Sequence, residues 1–174
     1  MGVQQDKENE LIVRYTKVLL QNYSELDNGI VPLIITNIAD KCFLKCPFES
    51  IQLNTRVTSI GESNFMESKQ LTSITLSPFL QHLPKRSFYN CINLKSIEMP
   101  KELLSIGDHC FSNCSSLTSI QLSPWLTSLE TSTFSKCSNI TSIILSSQLK
   151  IIEDSCFASC TSLQSIIIPE SNNQ

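Results

Sequence analysis

Eight cysteines and two histidines are the residues of this 174-residue chain whose types could do chemistry, through zinc ligation, disulfide bonding or thiolate attack. Their spacing decides among these. Cys46, Cys91, Cys114, Cys137 and Cys160 each stand three residues after a phenylalanine, whereas Cys42, Cys110 and Cys156 stand just before one. A zinc site needs ligands that converge on one point, yet the Cys-x3-Cys pairs beginning at Cys42, Cys110 and Cys156 recur at long intervals. Such columns read as ladders of small, semi-apolar side chains between stacked units. Adjacent rungs such as Cys114 and Cys137 would approach disulfide distance in an oxidising compartment, but free thiols are the expectation. His82 and His109 share no motif with a nucleophile or a carboxylate, and Gly-x-Ser-x-Gly, the phosphate-binding loop and His-Glu-x-x-His are all missing. No catalytic residue, metal site or cofactor is expected.

The cysteine intervals follow a repeat that runs through most of the chain. Ser-Ile stands at Ser50, Ser73, Ser96, Ser119, Ser142 and Ser165, always at the same interval. Two positions after each isoleucine comes Leu53, Leu76, Met99, Leu122, Leu145 or Ile168, and ahead of each pair stands Phe48, Leu71, Leu94, Leu117, Ile140 or Leu163. Alternation of Ile74 and Leu76 with polar neighbours is the period-two signature of a half-buried strand, so one short strand per repeat is predicted. Two further apolar positions follow, as at Val57 and Ile60 or Leu126 and Leu129, and then an aromatic column: Phe43, Phe65, Phe88, Phe111, Phe134 and Phe157. One such unit cannot bury its apolar side alone. The units must stack, their strands forming a parallel sheet at about 4.8 Å spacing, so that seven strands make a curved rod about 30 Å long.

The organisation that follows has three parts. Residues 1–26 hold an amphipathic helix over 8–22, with Leu11, Ile12, Tyr15, Val18 and Leu19 on one face, which caps the first coil or docks on a partner. Residues 27–170 form the solenoid of about six 22–23-residue repeats and a final strand, the first copy being degenerate. Residues 171–174 are a polar tail. Glycine is scarce, so Ser, Thr, Asn and Pro must supply the turns.

Charge excludes one class of partner. A net charge of -3 from scattered acids and bases lacks the footprint of a nucleic-acid binder. No stretch approaches a membrane span, so membrane insertion is not expected. The N-terminal stretch carries no visible secretory signal, because Asp6, Lys7, Glu8 and Glu10 precede an apolar run broken by Arg14 and Lys17. A cytoplasmic location is the default, and the acceptor patterns at Asn22, Asn113 and Asn139 are then silent.

The repeat unit resembles the BspA-like leucine-rich repeat, best seen in Ser96-Ile97-Glu98-Met99-Pro100, Ser105-Ile106-Gly107 and Cys110-Phe111-Ser112-Asn113-Cys114. The resemblance covers roughly residues 27–170. It implies an α/β solenoid: a right-handed coil with a parallel sheet on the concave face and short helical or irregular segments on the convex face. Such repeats occur in surface antigens and adhesins of bacteria and some parasitic protists, so the resemblance also implies a non-catalytic scaffold binding a protein or matrix ligand, with display at the cell surface. An intracellular adaptor or structural module is the alternative, which the absent signal favours.

Ligand binding is expected where a fixed frame carries variable side chains. The outward strand column reads Gln52, Thr75, Glu98, Gln121, Ile144 and Ile167, and the last two make an apolar patch. After the strand, Phe79 and Trp125 replace polar residues, either as anchors for a partner or as packing against the neighbouring turn. The serine column, Ser50 to Ser165, is expected to be structural, its hydroxyls bonding within the sheet edge or to each other. The final strand, Ile166-Ile167-Ile168-Pro169, offers an edge for self-association, which Pro169 and the polar tail would blunt.

Overall fold

The computed structural model describes Leu26 and residues 28–170. The helix expected over residues 8–22, the 1–26 cap apart from Leu26, and the 171–174 tail lie outside the described residues. What is described is a parallel β-solenoid of about six turns.

Its strands are β1 (Asn37–Ile38), β2 (Ser50–Gln52), β3 (Ser59–Ile60), β4 (Ser73–Thr75), β5 (His82–Leu83), β6 (Ser105–Ile106), β7 (Ser119–Gln121), β8 (Ser128–Leu129), β9 (Ser142–Ile144), β10 (Ile151–Ile152) and β11 (Ser165–Ile167). All pairings are parallel and join equivalent positions of neighbouring coils, such as Ser50 with Ser73 and Ser142 with Ser165. The first copy keeps the same register one residue short, Asn37 pairing with Ser59. The Ser-Ile strands β2, β4 and β7 turn their isoleucine inward and its flanking residues outward, as their exposed-buried-exposed order records, while in the final strand, β11, all three residues are exposed.

Two expectations need correction. The coil carries two strands rather than one, because the second apolar position also follows a serine-like residue, as in Ser59-Ile60, Ser105-Ile106 and Ser128-Leu129, and pairs with the next coil. The helical half of the α/β expectation is not met: among the described residues no segment is helical, and the third side of every coil is a run of turns. The reason is backbone conformation. Two residues four apart in each coil occupy the left-handed region: Lys41 and Lys45, Ser63 and Glu67, Arg86 and Asn90, His109 and Asn113, Ser132 and Lys136, Ser155 and Ser159. A left-handed residue ends a helix. Here it turns N–H groups along the solenoid axis, so that Ser63, Phe65 and Glu67 donate to the carbonyls of Lys85, Ser87 and Tyr89 in the next coil at 3.0, 2.8 and 2.8 Å.

That ladder holds the core in register. Phe43, Phe65, Phe88, Phe111 and Phe134 are fully buried and stack ring on ring at 5.1 to 5.4 Å, and Phe157 continues the column at 5.9 Å from Phe134. Isoleucines and leucines of both strand sides fill the rest of the interior. Two ion pairs between neighbouring coils, Lys45 with Glu67 at 3.4 Å and Lys85 with Glu62 at 3.1 Å, lie at the surface and add little.

Candidate binding face

The outward face of the Ser-Ile strands is two columns wide. Residues i and i+2 of a strand share a face, so the serine column stands beside Gln52, Thr75, Glu98, Gln121, Ile144 and Ile167. The serines line this surface: all are exposed except Ser142, which is half-buried. Of the variable column, Gln52 and Thr75 are Cα partners in one sheet, and Gln121, Ile144 and Ile167 are partners in a second. Ile144 is half-buried and Ile167 is 48% exposed, so the apolar patch is offered mainly by Ile167.

Glu98 falls between the two sheets. Ser96, Ile97 and Glu98 stand where a strand is expected, yet they form none, and the ladder is interrupted there. Elsewhere each junction is closed by bonds such as Gln52 N–H to Gly29 C=O, Leu53 N–H to Thr75 C=O, and Leu122 N–H to Ile144 C=O, all at 2.9 Å. The equivalent bonds of this coil, from Glu98 to Ile74, Leu76 to Glu98, Gln121 to Ile97 and Met99 to Gln121, are not made. The interruption opens two clefts on the strand face. One, about 790 Å³, is lined by Thr75, Phe79, Glu98, Met99, Lys101 and Glu102 among others. The other, about 330 Å³, continues from Glu98, Met99 and Lys101 to Gln121 and Pro124.

A set of side chains that sequence reading missed ties several neighbouring coils together. The residue after the strand in neighbouring coils is buried and polar: Asn54 donates to Pro32 C=O at 2.6 Å, Ser123 to Lys101 C=O at 2.9 Å and Ser146 to Pro124 C=O at 2.7 Å. Pro100 holds that place in the interrupted coil and has no donor to offer. The hydroxyls of Ser77 and Ser123 accept from the N–H two residues on, those of Phe79 and Trp125, at 3.4 and 3.3 Å. The turn so formed projects both rings outward, 62% and 54% exposed, rather than against a neighbouring turn.

The thiols are absorbed into the frame. Cys91, Cys114, Cys137 and Cys160 donate to the carbonyls of Phe65, Phe88, Phe111 and Phe134 at 3.0 to 3.2 Å. In the coil that lacks a cysteine at this place Ser68 makes the same bond, to Phe43 C=O at 2.9 Å. A donor must keep its proton, and burial keeps it there, raising the pKa of Cys91, Cys114 and Cys137 above the ordinary thiol value. Among the described residues no two cysteines are joined in a disulfide. Among the described residues no group of three or more His, Cys, Asp or Glu side chains is placed to hold a metal ion. His82 Nδ1 lies 2.8 Å from Ser105 Oγ at the surface, and Asn113 spends its amide on Asn90 Oδ1 at 2.6 Å. Asn22 lies outside the described residues.

Comparison with known proteins agrees with this geometry. The family model for the BspA type leucine rich repeat region matches residues 81–174. A leucine rich repeat protein of T. pallidum superposes with a TM-score of 0.75 at 25% identity, over 82% of this chain and 74% of that one. One from Bacteroides ovatus gives 0.61 at 29% identity, over 78% of this chain and 41% of that one. The pneumococcal vaccine antigen PcpA gives 0.61 at 19% identity, over 82% and 41%, a likeness of fold alone. The chain thus spans well under half the length of the latter two structures. No curated protein matches it in sequence.

Proposed function

Because this chain belongs to the BspA type leucine rich repeat family, we propose that it is a non-catalytic scaffold that binds a protein or matrix ligand on the concave strand face. The observation that carries this reading is the pairing of an invariant frame with changing outward residues. Gln121, Ile144 and Ile167 are set side by side by the sheet, and Phe79 and Trp125 project from the turns beside it. Exposed aromatics on a preformed surface bind at little entropic cost. The test is binding to an array of matrix proteins, with Gln121→Ala, Ile144→Ala and Ile167→Ala combined. A loss of about tenfold or more is expected, and unchanged binding removes this face from the proposal.

A second reading, an intracellular adaptor, draws on the thiols. Four of them are hydrogen-bond donors that oxidation would disable, which suits a reducing compartment. Protease treatment of intact cells separates the two: cleavage supports surface display, and full protection supports the adaptor. As a further part of the proposal, β11, which among the described residues pairs only with β9, associates with the β11 of a second copy.

A further inference from the structure

The interrupted coil gives the strand-face reading a specific occupant. Leu76, Glu98, Met99 and Gln121 each have a backbone N–H that the ladder would consume in any other coil, and the carbonyls of Ile74, Ile97, Glu98 and Gln121 lack those same donors. Around these groups lie the exposed ring of Phe79, the half-buried Met99, and the carboxylates of Glu98 and Glu102. Neither acid is in an ion pair; the two pairs of the described residues engage Glu62 and Glu67. Among the described residues Lys101 is the one cation lining the clefts.

We propose that the clefts flanking Glu98 bind an extended peptide segment that carries a basic side chain next to an apolar one. This rests on the strand-face reading above and adds the site and the chemistry. The clefts lie on the outward strand face, and an extended segment can set side chains on Glu98 and Glu102 and on Met99 and Phe79 at strand period. The basic side chain answers the surplus carboxylate of Glu98 and Glu102, and the apolar one covers Met99 and Phe79. An acidic segment meets like charge there. The coils cannot part to admit a strand between them, because Phe65, Phe88 and Phe111 stay stacked at 5.2 Å behind the break. The peptide therefore lies along the surface of the clefts.

The probe is a set of synthetic peptides of about six residues, a common strand length, each with one lysine or arginine beside a leucine, and counterparts with glutamate in place of the base. Fluorescence anisotropy on the whole chain should show the basic set bound and the acidic set at least about tenfold weaker, a ratio that corresponds to one ion-pair interaction of ordinary strength. Hydrogen exchange should show the amides of Leu76, Glu98, Met99 and Gln121 faster than those of Leu53, Leu122 and Leu145 in the free chain, and slowed by the peptide. The surface double variant Glu98→Gln, Glu102→Gln should keep its melting temperature and lose the preference for base. Pro100→Ser, which supplies a donor toward Pro78, should slow the same amides without peptide and weaken binding. Amides already protected in the free chain, or equal binding of basic and acidic peptides, would overturn the proposal. Binding insensitive to the acid variant but lost in Ile144→Ala, Ile167→Ala overturns it while leaving the strand-face reading intact. Binding that survives every one of these variants overturns both.

Discussion

The Cys114 thiol donates to the carbonyl of Phe88, 3.2 Å away and one coil back, with both side chains fully buried. Ser68 holds the same place two coils earlier, donating to Phe43 C=O at 2.9 Å. The column is therefore selected for a small donor rather than for sulfur chemistry. Cys114→Ser should keep the bond and cost less than Cys114→Ala, which strands a buried carbonyl at about 1–3 kcal/mol. Chemical denaturation of the two variants checks the order, and an alanine variant as stable as the serine one refutes it.

Alkaline pH should unfold the solenoid through its thiols. Burial pushes Cys110 and Cys137 up to about 12 and Cys156 up to about 11, from an ordinary value of 9.0. A group whose folded pKa is raised holds its proton when the unfolded chain has released it. Its contribution is complete below pH 9 and is lost as pH rises toward 12. Each fully shifted thiol removes about 1.4 kcal/mol per pH unit within that window. Urea midpoints measured from neutral to alkaline pH should fall more steeply for the parent chain than for Cys110→Ser, Cys137→Ser; parallel curves would refute the linkage.

Phe134 is fully buried between the rings of Phe111 and Phe157, at 5.4 and 5.9 Å. Phe134→Ala should cost about 3–5 kcal/mol. In a stack where each coil touches only its neighbours, the damage should stay local. Hydrogen exchange should then accelerate in residues 118–170 and leave the coils around Phe65 slow; uniform acceleration would mean that the solenoid unfolds as one unit.

Ile166, Ile167 and Ile168 are 47%, 48% and 70% exposed, beside Ile151 and Ile152 at 52% and 49%. The proposed self-association through β11 predicts a mass in light scattering that rises with concentration. Ile166→Lys, Ile168→Lys should hold the chain monomeric, and a parent chain monomeric at every concentration removes the proposal.

The sequence revealed the fold where identical positions recur. The columns at Ile51, Leu53, Phe65 and Cys91 each meet their own kind in the next coil, so the period of the sequence is also a contact list. The turn side was legible in its phenylalanines but not in its backbone. Its left-handed positions carry Lys41, Glu67, Arg86 and Lys136, side chains with no special claim to that conformation, and only Asn90, His109 and Asn113 hint at it. The break at Ser96–Glu98 was the hardest feature to see, because that copy matches the family pattern well. Its one signal is Pro100, where other coils hold the buried polar residues Asn54, Ser77, Ser123 and Ser146. Of the outward residues, alternation gave the face correctly, while the split of Gln52 and Thr75 from Gln121, Ile144 and Ile167 required the sheet pairing.

Every strand pairing between coils joins a position to its own equivalent, as Ser119 to Ser142 and Ser142 to Ser165 do. Length can therefore change by whole units without a scar. If the segment from Thr118 to Ile140 is excised, Lys95 is followed through its own coil by Thr141, and donors meet acceptors of the same kind. A one-residue change is absorbed only where a turn can take it up, as in the first copy, which is one residue short yet keeps Phe43 stacked on Phe65 at 5.1 Å. Duplication and loss of entire coils is thus the route by which this architecture can exchange one row of outward side chains for another while its interior stays unaltered.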